Sequence, residues 1–424
     1  MDTIFALSSG APPAGIAVVR ISGPGAHEAL RSLAGTSPEP RMARLAALRA
    51  EDGALLDRGL VLWFPGPNTA TGEDLAELHL HGGRAVVAAV EAALGRRPAV
   101  RRAEPGEFTR RAFVNGRIDL AQAEGLADLL EAESELQRTA ALVAAGGWLS
   151  LQVEEWREQL LALSALLESA LDFADEADVS EHPADLANGI EGLAARIQEA
   201  LTAPAAELLR EGYRVALAGP PNAGKSTFFN ALVGSEAAIA TPIPGTTRDV
   251  LERPAALDGV PFTFVDMAGL REEGTDAIER IGISRATAEI DRADLVLWLG
   301  PEGSGPPSAW EVEPRTDVSD HLHKAAPRHR VSAVTGEGME ALRHDLVAYA
   351  RLAMWRPGVG TLNRRQRHLL WDAHAALTEA ARNRDPLVQA ENLRLCRGAF
   401  DRLVGRSATE DVLNSLFGRF CVGK

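Results

Sequence analysis

The stretch Gly219-Pro-Pro-Asn-Ala-Gly224-Lys225-Ser226 determines the fold of the region around it. It has the complete G-x-x-x-x-G-K-[ST] spacing of a phosphate-binding loop. Residues 215–218 before it are typical of a short buried strand, and residues 226–233 after it are typical of a helix. In such a layout the backbone N–H groups of the loop surround a phosphate, and the helix N-terminus adds partial positive charge. We therefore predict a doubly wound α/β domain that binds a nucleoside triphosphate.

Two side chains of this loop have chemical roles that follow from their positions. Lys225 can reach the β- and γ-phosphates, and the hydroxyl of Ser226 can bind Mg²⁺. The predicted nucleotide contacts of the loop are Asn222, Ala223, Gly224, Lys225, Ser226 and Thr227.

The overall composition limits the classes of partner. The chain has 424 residues and a net charge of -15, which argues against a protein coated in nucleic acid. Any such contact needs a local basic patch, and seven arginines do cluster in one segment: Arg96, Arg97, Arg101, Arg102, Arg110, Arg111 and Arg117. A solvated charged face is the alternative for this cluster.

Cysteine usage and hydropathy indicate the compartment. Cys396 and Cys421 form neither a disulfide framework nor a C-x-x-C metal site, so we expect a reducing environment. The N-terminus lacks the basic segment of a signal peptide, and the uncharged run 139–153 is too short to span a bilayer. We expect a soluble, cytoplasmic protein with no membrane partner.

Changes in residue pattern along the chain predict its domains. Residues 1–118 read as an α+β domain, with strands at 16–21 and 59–64, turns at 65–67 and 81–83, and a helix at 85–94. Residues 119–209 are helical, with one apolar series at Leu120, Ala123, Ala127 and Leu130 and another at Leu160, Leu163, Leu166 and Leu167. Strands and helices alternate over 210–350. Helical patterning returns over 351–424, for example at Leu369, Leu370, Ala373 and Leu377, so the α/β domain is predicted to be inserted in a helical domain.

Downstream elements favour a GTPase. Residues 262–266 form an apolar strand that ends in D-x-x-G, where Asp266 can support Mg²⁺ through water and the Gly269 N–H can sense a γ-phosphate. The loop 241–249 offers Thr246 and Thr247 as a switch threonine that closes on Mg²⁺.

The elements that would recognise the base are less complete. Ser332, Ala333 and Val334 stand where GTPases pack a loop on guanine. In place of the usual N-K-x-D the chain has Pro314-Arg-Thr-Asp317. Asp317 could accept the guanine N1 and N2 protons, with Asp320 as a rival, and Arg315 could stack on the base.

The group that activates water is left open by the residues alone. Leu270 follows the D-x-x-G element and cannot polarise water, unlike the glutamine of Ras-like proteins. Arg248 and Arg271 are local candidates for an arginine finger. Several carboxylates follow, and spacing does not choose among Glu272, Glu273, Asp276 and Glu279.

The chain as a whole resembles the tRNA modification GTPases of the MnmE (TrmE) family. The C-terminal Phe-Cys-Val-Gly-Lys resembles the family signature with Val422 in place of isoleucine, and the clear departure is the base-reading segment. The other segments that carry the resemblance are Asp2-Thr-Ile4, 15–23, Thr71-Gly-Glu-Asp74, Glu77, His81-Gly-Gly83, 106–110, 115–120, Gly245-Thr-Thr-Arg-Asp249, 266–271 and Glu279-Arg-Ile-Gly282.

This resemblance implies a Ras-like G domain inserted in a helical domain and preceded by an N-terminal α+β domain that binds folate and dimerises. It also implies a homodimer with potassium-dependent GTP hydrolysis. The implied K⁺ ligands are Asn222, Thr241, Ile243 and Thr246. Thr247 matches the Mg²⁺ threonine, and Glu279 matches the glutamate that orients water, so Glu279 and Lys225 are the implied catalytic residues.

The resemblance further implies a tetrahydrofolate site at Arg20, Glu77, Arg117 and Lys424. Two arginines, a lysine and a carboxylate suit a ligand with a glutamate tail and a pterin edge. The ligand would be a 5-formyl or methylene form, and Cys421 would lie near its one-carbon unit.

The implied function is tRNA modification together with the FAD-containing protein MnmG, in a heterotetramer. An aminomethyl or carboxymethylaminomethyl group would be added to carbon 5 of the wobble uridine. Two alternatives stay open: a ribosome-assembly GTPase, which predicts a strongly basic RNA-binding appendix, and a scaffold that binds nucleotide without turnover.

Overall fold

The computed structural model describes residues 2–172, 184–221, 223–234, 251–266, 288–355 and 359–424. The chain divides into two compact units. Residues 1–127, 150–157 and 397–424 form the first unit, and residues 128–149 and 158–396 form the second. The predicted domain boundaries at 118, 209 and 350 stay predictions.

Strands and helices follow each other as the sequence patterns indicate. The strands are β1 (Thr3–Leu7), β2 (Ala14–Ser22), β3 (Arg44–Arg49), β4 (Leu55–Phe64), β5 (Leu75–Gly82), β6 (Val100–Arg102), β7 (Tyr213–Ala218), β8 (Leu251–Leu257), β9 (Val260–Asp266), β10 (Leu295–Trp298), β11 (Trp310–Pro314) and β12 (His329–Val331). The helices are α1 (Ala26–Ala34), α2 (Arg84–Gly95), α3 (Glu107–Val114), α4 (Leu120–Glu131), α5 (Glu135–Ala145), α6 (Trp148–Asp172), α7 (Ala184–Leu201), α8 (Ala206–Glu211), α9 (Lys225–Val233), α10 (Met339–Met354), α11 (Arg364–Arg382), α12 (Pro386–Val404) and α13 (Glu410–Phe417).

The first unit contains a six-stranded sheet in the order β3-β4-β5-β2-β1-β6. Neighbouring strands are antiparallel except for the parallel pair β1 and β6. Because side chains alternate between the two faces of a strand, Ala17, Val19 and Ile21 of β2 all enter the core, where they pack with residues of α1 and α2. Arg20 projects from the opposite face, directly across from Glu77 of β5.

The second unit contains a sheet in the order β12-β11-β10-β7-β9-β8. All neighbouring pairs are parallel except the edge pair β8 and β9, which is antiparallel. Apolar residues of β7 and β9 pack with α9 and α10 in one core, which includes Phe228, Phe264 and Leu346. This is the doubly wound architecture predicted from the phosphate-binding loop.

A two-residue turn joins β8 to β9. Asp258 and Gly259 both have positive φ, 47° and 77°, as an Asp-Gly turn between antiparallel strands requires. The carbonyl of Gly259 accepts a hydrogen bond from the Leu136 N–H in the first turn of α5, at 2.9 Å. Arg343 of α10 donates to the Asp258 carboxylate at 2.9 Å.

Leu130 and Leu166, two leucines of the predicted helical series, lie in α4 and α6 as predicted but are 43% and 45% exposed. The predicted turn at 81–83 is instead the end of β5, where a Cβ on Gly82 would lie 2.2 Å from the Ala14 carbonyl oxygen. This glycine allows close approach of β2.

Candidate functional site

The parallel strands of the second unit bring the predicted nucleotide residues to one edge of its sheet. The strand β7 leads into the phosphate-binding loop, and β9 ends at Asp266. Pro314 ends β11, and Ser332 follows β12. In open α/β sheets, ligands bind outside the carboxyl ends of the strands, so this edge is the candidate nucleotide site.

The backbone of the phosphate-binding loop needs its glycines. Gly224 is the N-cap residue of α9 and has φ +81°, in the left-handed region that glycine adopts without strain. The buried ammonium of Lys225 donates to the carbonyl oxygens of Gly219 and Pro220, at 3.0 and 2.8 Å. These bonds hold the positive charge inside the loop, next to the N-terminus of α9.

Two oxygen groups that suit Mg²⁺ lie side by side here. The hydroxyl of Ser226 donates to the Asp266 carboxylate at 3.1 Å. Asp266 is buried, whereas Ser226 and Thr227 are exposed at the start of α9. Hydroxyl and carboxylate oxygens are ligands that this hard cation prefers, so the donor set fits the ion.

The base-reading segments contact each other. Ser332 donates to the Asp317 carboxylate at 2.6 Å, and this hydrogen bond lowers the pKa of Asp317 below its usual range. The Ser332 hydroxyl also accepts from the Val334 N–H at 3.3 Å, and Ala333 packs against the domain core. The structure thus joins Asp317 to the loop at 332–334, whereas Asp320 is an exposed neighbour.

Arg315 connects the base-reading segment to the phosphate-binding loop. Its φ of +63° is in the left-handed region. Its methylenes Cγ and Cδ lie 3.5 Å from the position that a Cβ on Gly224 would take. The base-reading segment 314–317 therefore contacts the phosphate-binding loop directly.

Several predicted residues lie outside the described part of the chain. They are Asn222, Thr241, Ile243, Thr246, Thr247, Gly269 and Glu279, together with Arg248, Leu270, Arg271, Glu272, Glu273 and Asp276. The K⁺ ligands, the Mg²⁺ threonine and the water-orienting glutamate stay predictions.

In the first unit, two of the four predicted folate residues form an ion pair. Arg20 Nη2 lies 2.9 Å from Glu77 Oε1, and His79 Nε2 lies 3.2 Å from the other carboxylate oxygen. The other two residues have contacts elsewhere. Arg117 packs its methylenes beside Gly72, and the Lys424 N–H donates to the Cys421 carbonyl.

The C-terminal residues dock on the N-terminal sheet. Ser8 donates to the Gly423 carbonyl at 2.7 Å, and Val422 forms a β-bridge with Pro105. Gly423 has φ +97°, and a Cβ there would lie 2.0 Å from the Leu7 carbonyl oxygen. Cys421 is an exposed free thiol.

Four of the seven arginines of the cluster pair with acidic residues within the same unit. Arg111 contacts Asp2, Glu73 and Glu107, while Arg101 also pairs with Asp2 and Glu107. Arg102 pairs with Glu91, and Arg110 with Glu410. Burial would raise the pKa of Glu107, but the hydrogen bonds from Arg101, Glu104 and Arg111 outweigh it and lower that pKa. These ion pairs favour a structural role over a free basic patch.

Sequence reasoning did not find the cavity next to this cluster. It has a volume of about 590 Å³, and its charged and amide-bearing lining residues are Glu73, Arg101, Glu104, Glu107, Arg110, Arg111, Asn115 and Asn414. The spacing of the arginines was the only signal, because their acidic partners are distant in sequence.

Comparisons with known proteins agree on one family. The model described as "MnmE helical domain" matches residues 120–421, and the model described as "GTP-binding protein TrmE N-terminus" matches residues 3–117. The tRNA modification GTPase MnmE of Erythrobacter litoralis is 60% identical over 424 residues, with full coverage of both chains. That of Novosphingobium aromaticivorans is 61% identical over 435 residues, again with full coverage of both.

Among solved structures, the G domain of the T. maritima FeoB iron transporter aligns with 27% identity and a TM-score of 0.24. The alignment covers 32% of this chain and 98% of that one. Within the described ranges, no helix has the length and apolarity needed to cross a membrane.

Proposed function

The chain belongs to the MnmE family of tRNA modification GTPases, and from this we propose a potassium-dependent GTPase that uses a tetrahydrofolate one-carbon unit to modify tRNA. The family assignment makes it a GTP-binding enzyme of tRNA modification. The proposal adds a homodimer, a heterotetramer with the FAD protein MnmG, carbon 5 of the wobble uridine as target and a cytoplasmic location.

The phosphate-binding loop would hold the triphosphate of GTP. The Lys225 ammonium, now bonded to two carbonyls of the loop, exchanges them for phosphate oxygens when nucleotide enters. Ser226 and Thr247 would hold Mg²⁺, supported by Asp266, and this ion supplies positive charge to the phosphate oxygens. The close pair of Ser226 and Asp266 is the observation that supports this assignment.

The residues that would carry out hydrolysis are inferred from the family resemblance and lie outside the part of the chain that the structure describes. Asn222, Thr241, Ile243 and Thr246 would hold K⁺, and Glu279 would orient the attacking water. The cation supplies the charge that an arginine finger supplies in other GTPases.

Guanine would be read by Asp317. A lowered pKa keeps its carboxylate ionised, as needed to accept the N1 and N2 protons of guanine. Ser332 holds one carboxylate oxygen at 2.6 Å and so fixes its direction. Arg315 would stack on the base. Asp317 held by Ser332 at the carboxyl edge of the sheet is the observation that carries the choice of GTP.

The folate site would lie on the sheet of the first unit. The paired Arg20 and Glu77 offer a cation and a carboxylate to the polar edge of a pterin. Arg117 and Lys424 would bind the glutamate tail, and the docked C-terminal segment would place Cys421 beside the one-carbon group. The donor set fits this ligand, because it contains both signs of charge.

Steady-state phosphate release in KCl and in NaCl tests the hydrolysis mechanism, with Lys225→Ala as the inactive control. We expect turnover at least about 10-fold higher in KCl, because a positioned charge at the phosphates stabilises the transition state. Equal rates in the two salts would rule out the potassium site. ATP and XTP serve as competing substrates, and a preference for ATP would show that Asp317 does not read guanine.

A further inference from the structure

Three potential metal ligands converge beside the base-reading segment. Glu313 is on β11, next to Pro314, and its side chain is 3% exposed. His321 Nε2 lies 2.9 Å from Glu313 Oε1, and His323 Nδ1 lies 3.3 Å from the same oxygen. All three ligand atoms lie within 4.8 Å of one another.

The surrounding hydrogen bonds orient these atoms. His321 Nδ1 lies 2.6 Å from the Val318 carbonyl oxygen, which can only accept, so this nitrogen carries the proton. In a neutral imidazole the lone pair of Nε2 then faces Glu313 Oε1. The second oxygen of Glu313 accepts from the Lys324 N–H and from Arg330 Nε, at 3.2 and 3.1 Å.

The Nε2 of His321 and the Oε1 of Glu313 attract each other at 2.9 Å only if a positive charge lies between them, which is either a proton on Nε2 or a metal ion. Zinc with bonds of about 2.0–2.1 Å and tetrahedral angles places its ligand atoms about 3.3 Å apart. The two distances to Glu313 Oε1 are close to that spacing. The side chain of His323 is 73% exposed, which leaves room for water as a fourth ligand.

We propose that Glu313, His321 and His323 bind Zn²⁺, and that this ion fixes the loop between them. That loop carries Arg315 and Asp317, so the second part of the proposal rests on the proposed reading of guanine. The backbone of Val318 and the side chain of Arg330 act as the outer groups that orient metal ligands. The ion would thus hold this base-reading loop in place, although the loop does not have the usual N-K-x-D sequence.

Zinc titration of the full-length, chelator-treated protein without nucleotide tests the site. All variants are made in a background protein that carries Cys421→Ser, because the exposed thiol of Cys421 can bind zinc separately from the proposed site. We expect one equivalent to bind with a micromolar or lower Kd. His323→Ala and His321→Gln should each raise the Kd for this zinc ion at least about 10-fold. His344→Ala, an exposed histidine of α10, is the matched control and should leave it unchanged.

A protonated His321 would satisfy the same distances without metal, and the titration separates the two cases. Zinc binding that is absent, or equal in all three histidine variants, would overturn the site. Cobalt(II) gives an independent readout: intense visible absorption from a four-coordinate complex is expected in the background protein and lost in His323→Ala.

The effect on the loop is measured with a fluorescent GDP analogue at constant Mg²⁺. Zinc should tighten its binding at least about 3-fold in the background protein and not in His323→Ala. Unchanged affinity in a protein that binds zinc would refute the effect on the loop. Failure of the proposed function looks different, because no guanine nucleotide would then bind with or without zinc.

Discussion

Replacing Gly423 by alanine should release the C-terminal segment from the N-terminal sheet. The new Cβ would lie 2.0 Å from the Leu7 carbonyl oxygen and 2.8 Å from the Leu7 carbonyl carbon. A real Cβ essentially never lies within 3.0 Å of another heavy atom, so the two backbone segments would have to separate. The φ of +97° adds about 1–2 kcal/mol of backbone strain for a residue with a side chain. Undocking avoids both costs.

The loss of global stability should be modest. Undocking breaks the hydrogen bond from Ser8 to Gly423 and the bridge between Pro105 and Val422, each worth about 1 kcal/mol. We therefore expect a decrease of about 2 kcal/mol in the free energy of unfolding of the unit, measured by urea titration.

The same substitution should weaken the proposed binding of tetrahydrofolate more clearly than it lowers the stability of the unit. Displacement of Lys424 would remove the proposed charge-assisted contact with the folate, worth about 1.5–3 kcal/mol, which corresponds to roughly 10- to 150-fold in Kd by calorimetry. Gly53→Ala is the matched control, since Gly53 has φ +83° and open space where its Cβ would lie. It should show backbone strain alone and unchanged affinity. Wild-type folate affinity in Gly423→Ala would refute a role for the docked segment in the site.

Three further predictions concern charged groups. Ser332→Ala removes the hydrogen bond that lowers the pKa of Asp317, so Asp317 should become protonated at a higher pH than in wild type. As the solution is acidified, binding of the fluorescent GDP analogue should therefore weaken at a higher pH in the variant. Identical pH profiles would contradict this. Arg111→Ala removes the arginine partner of the partly buried Glu73, whereas Asp2 and Glu107 keep Arg101. It should cost about 2 kcal/mol in urea unfolding, against about 0–1 kcal/mol for the exposed Arg102→Ala, and equal losses would count against a stabilising role of the Arg111 network. Asp266→Asn should raise the Mg²⁺ concentration for half-maximal GTP hydrolysis by about 10-fold or more, and an unchanged requirement would remove Asp266 from the Mg²⁺ site.

Local patterns predicted the nucleotide domain well. The strand, loop and helix around Gly219 follow from glycine spacing and apolar runs that involve only neighbouring residues. The same holds for α11, where Leu369, Leu370, Ala373 and Leu377 lie in one helix as predicted, and all four are buried. In both cases the physical cause is contained within a few turns of chain.

Features that depend on distant residues were not predictable in this way. Gly82 reads as a turn residue, yet its role is to let β2 approach β5. The Arg110 partner Glu410 is 300 residues away in sequence and the Arg111 partner Asp2 is 109 away, so the spacing of the cluster left a basic patch and a solvated charged face both open. The histidines near Glu313 also gave no recognisable spacing, because Glu313 is on a strand and both histidines are on the following loop.

The hairpin of β8 and β9 has a mechanical consequence. Its open end connects to both predicted switch segments, 241–249 and 266–269, while its Asp258-Gly259 turn is fastened to the first turn of α5. Each strand of the hairpin has seven residues, so the hairpin is about 23 Å long. A shift of the hairpin when nucleotide binds would therefore change the hydrogen bond to the Leu136 amide, at the far end of the strands. We expect hydrogen exchange of that amide to differ between the nucleotide-free and the GTP-bound protein.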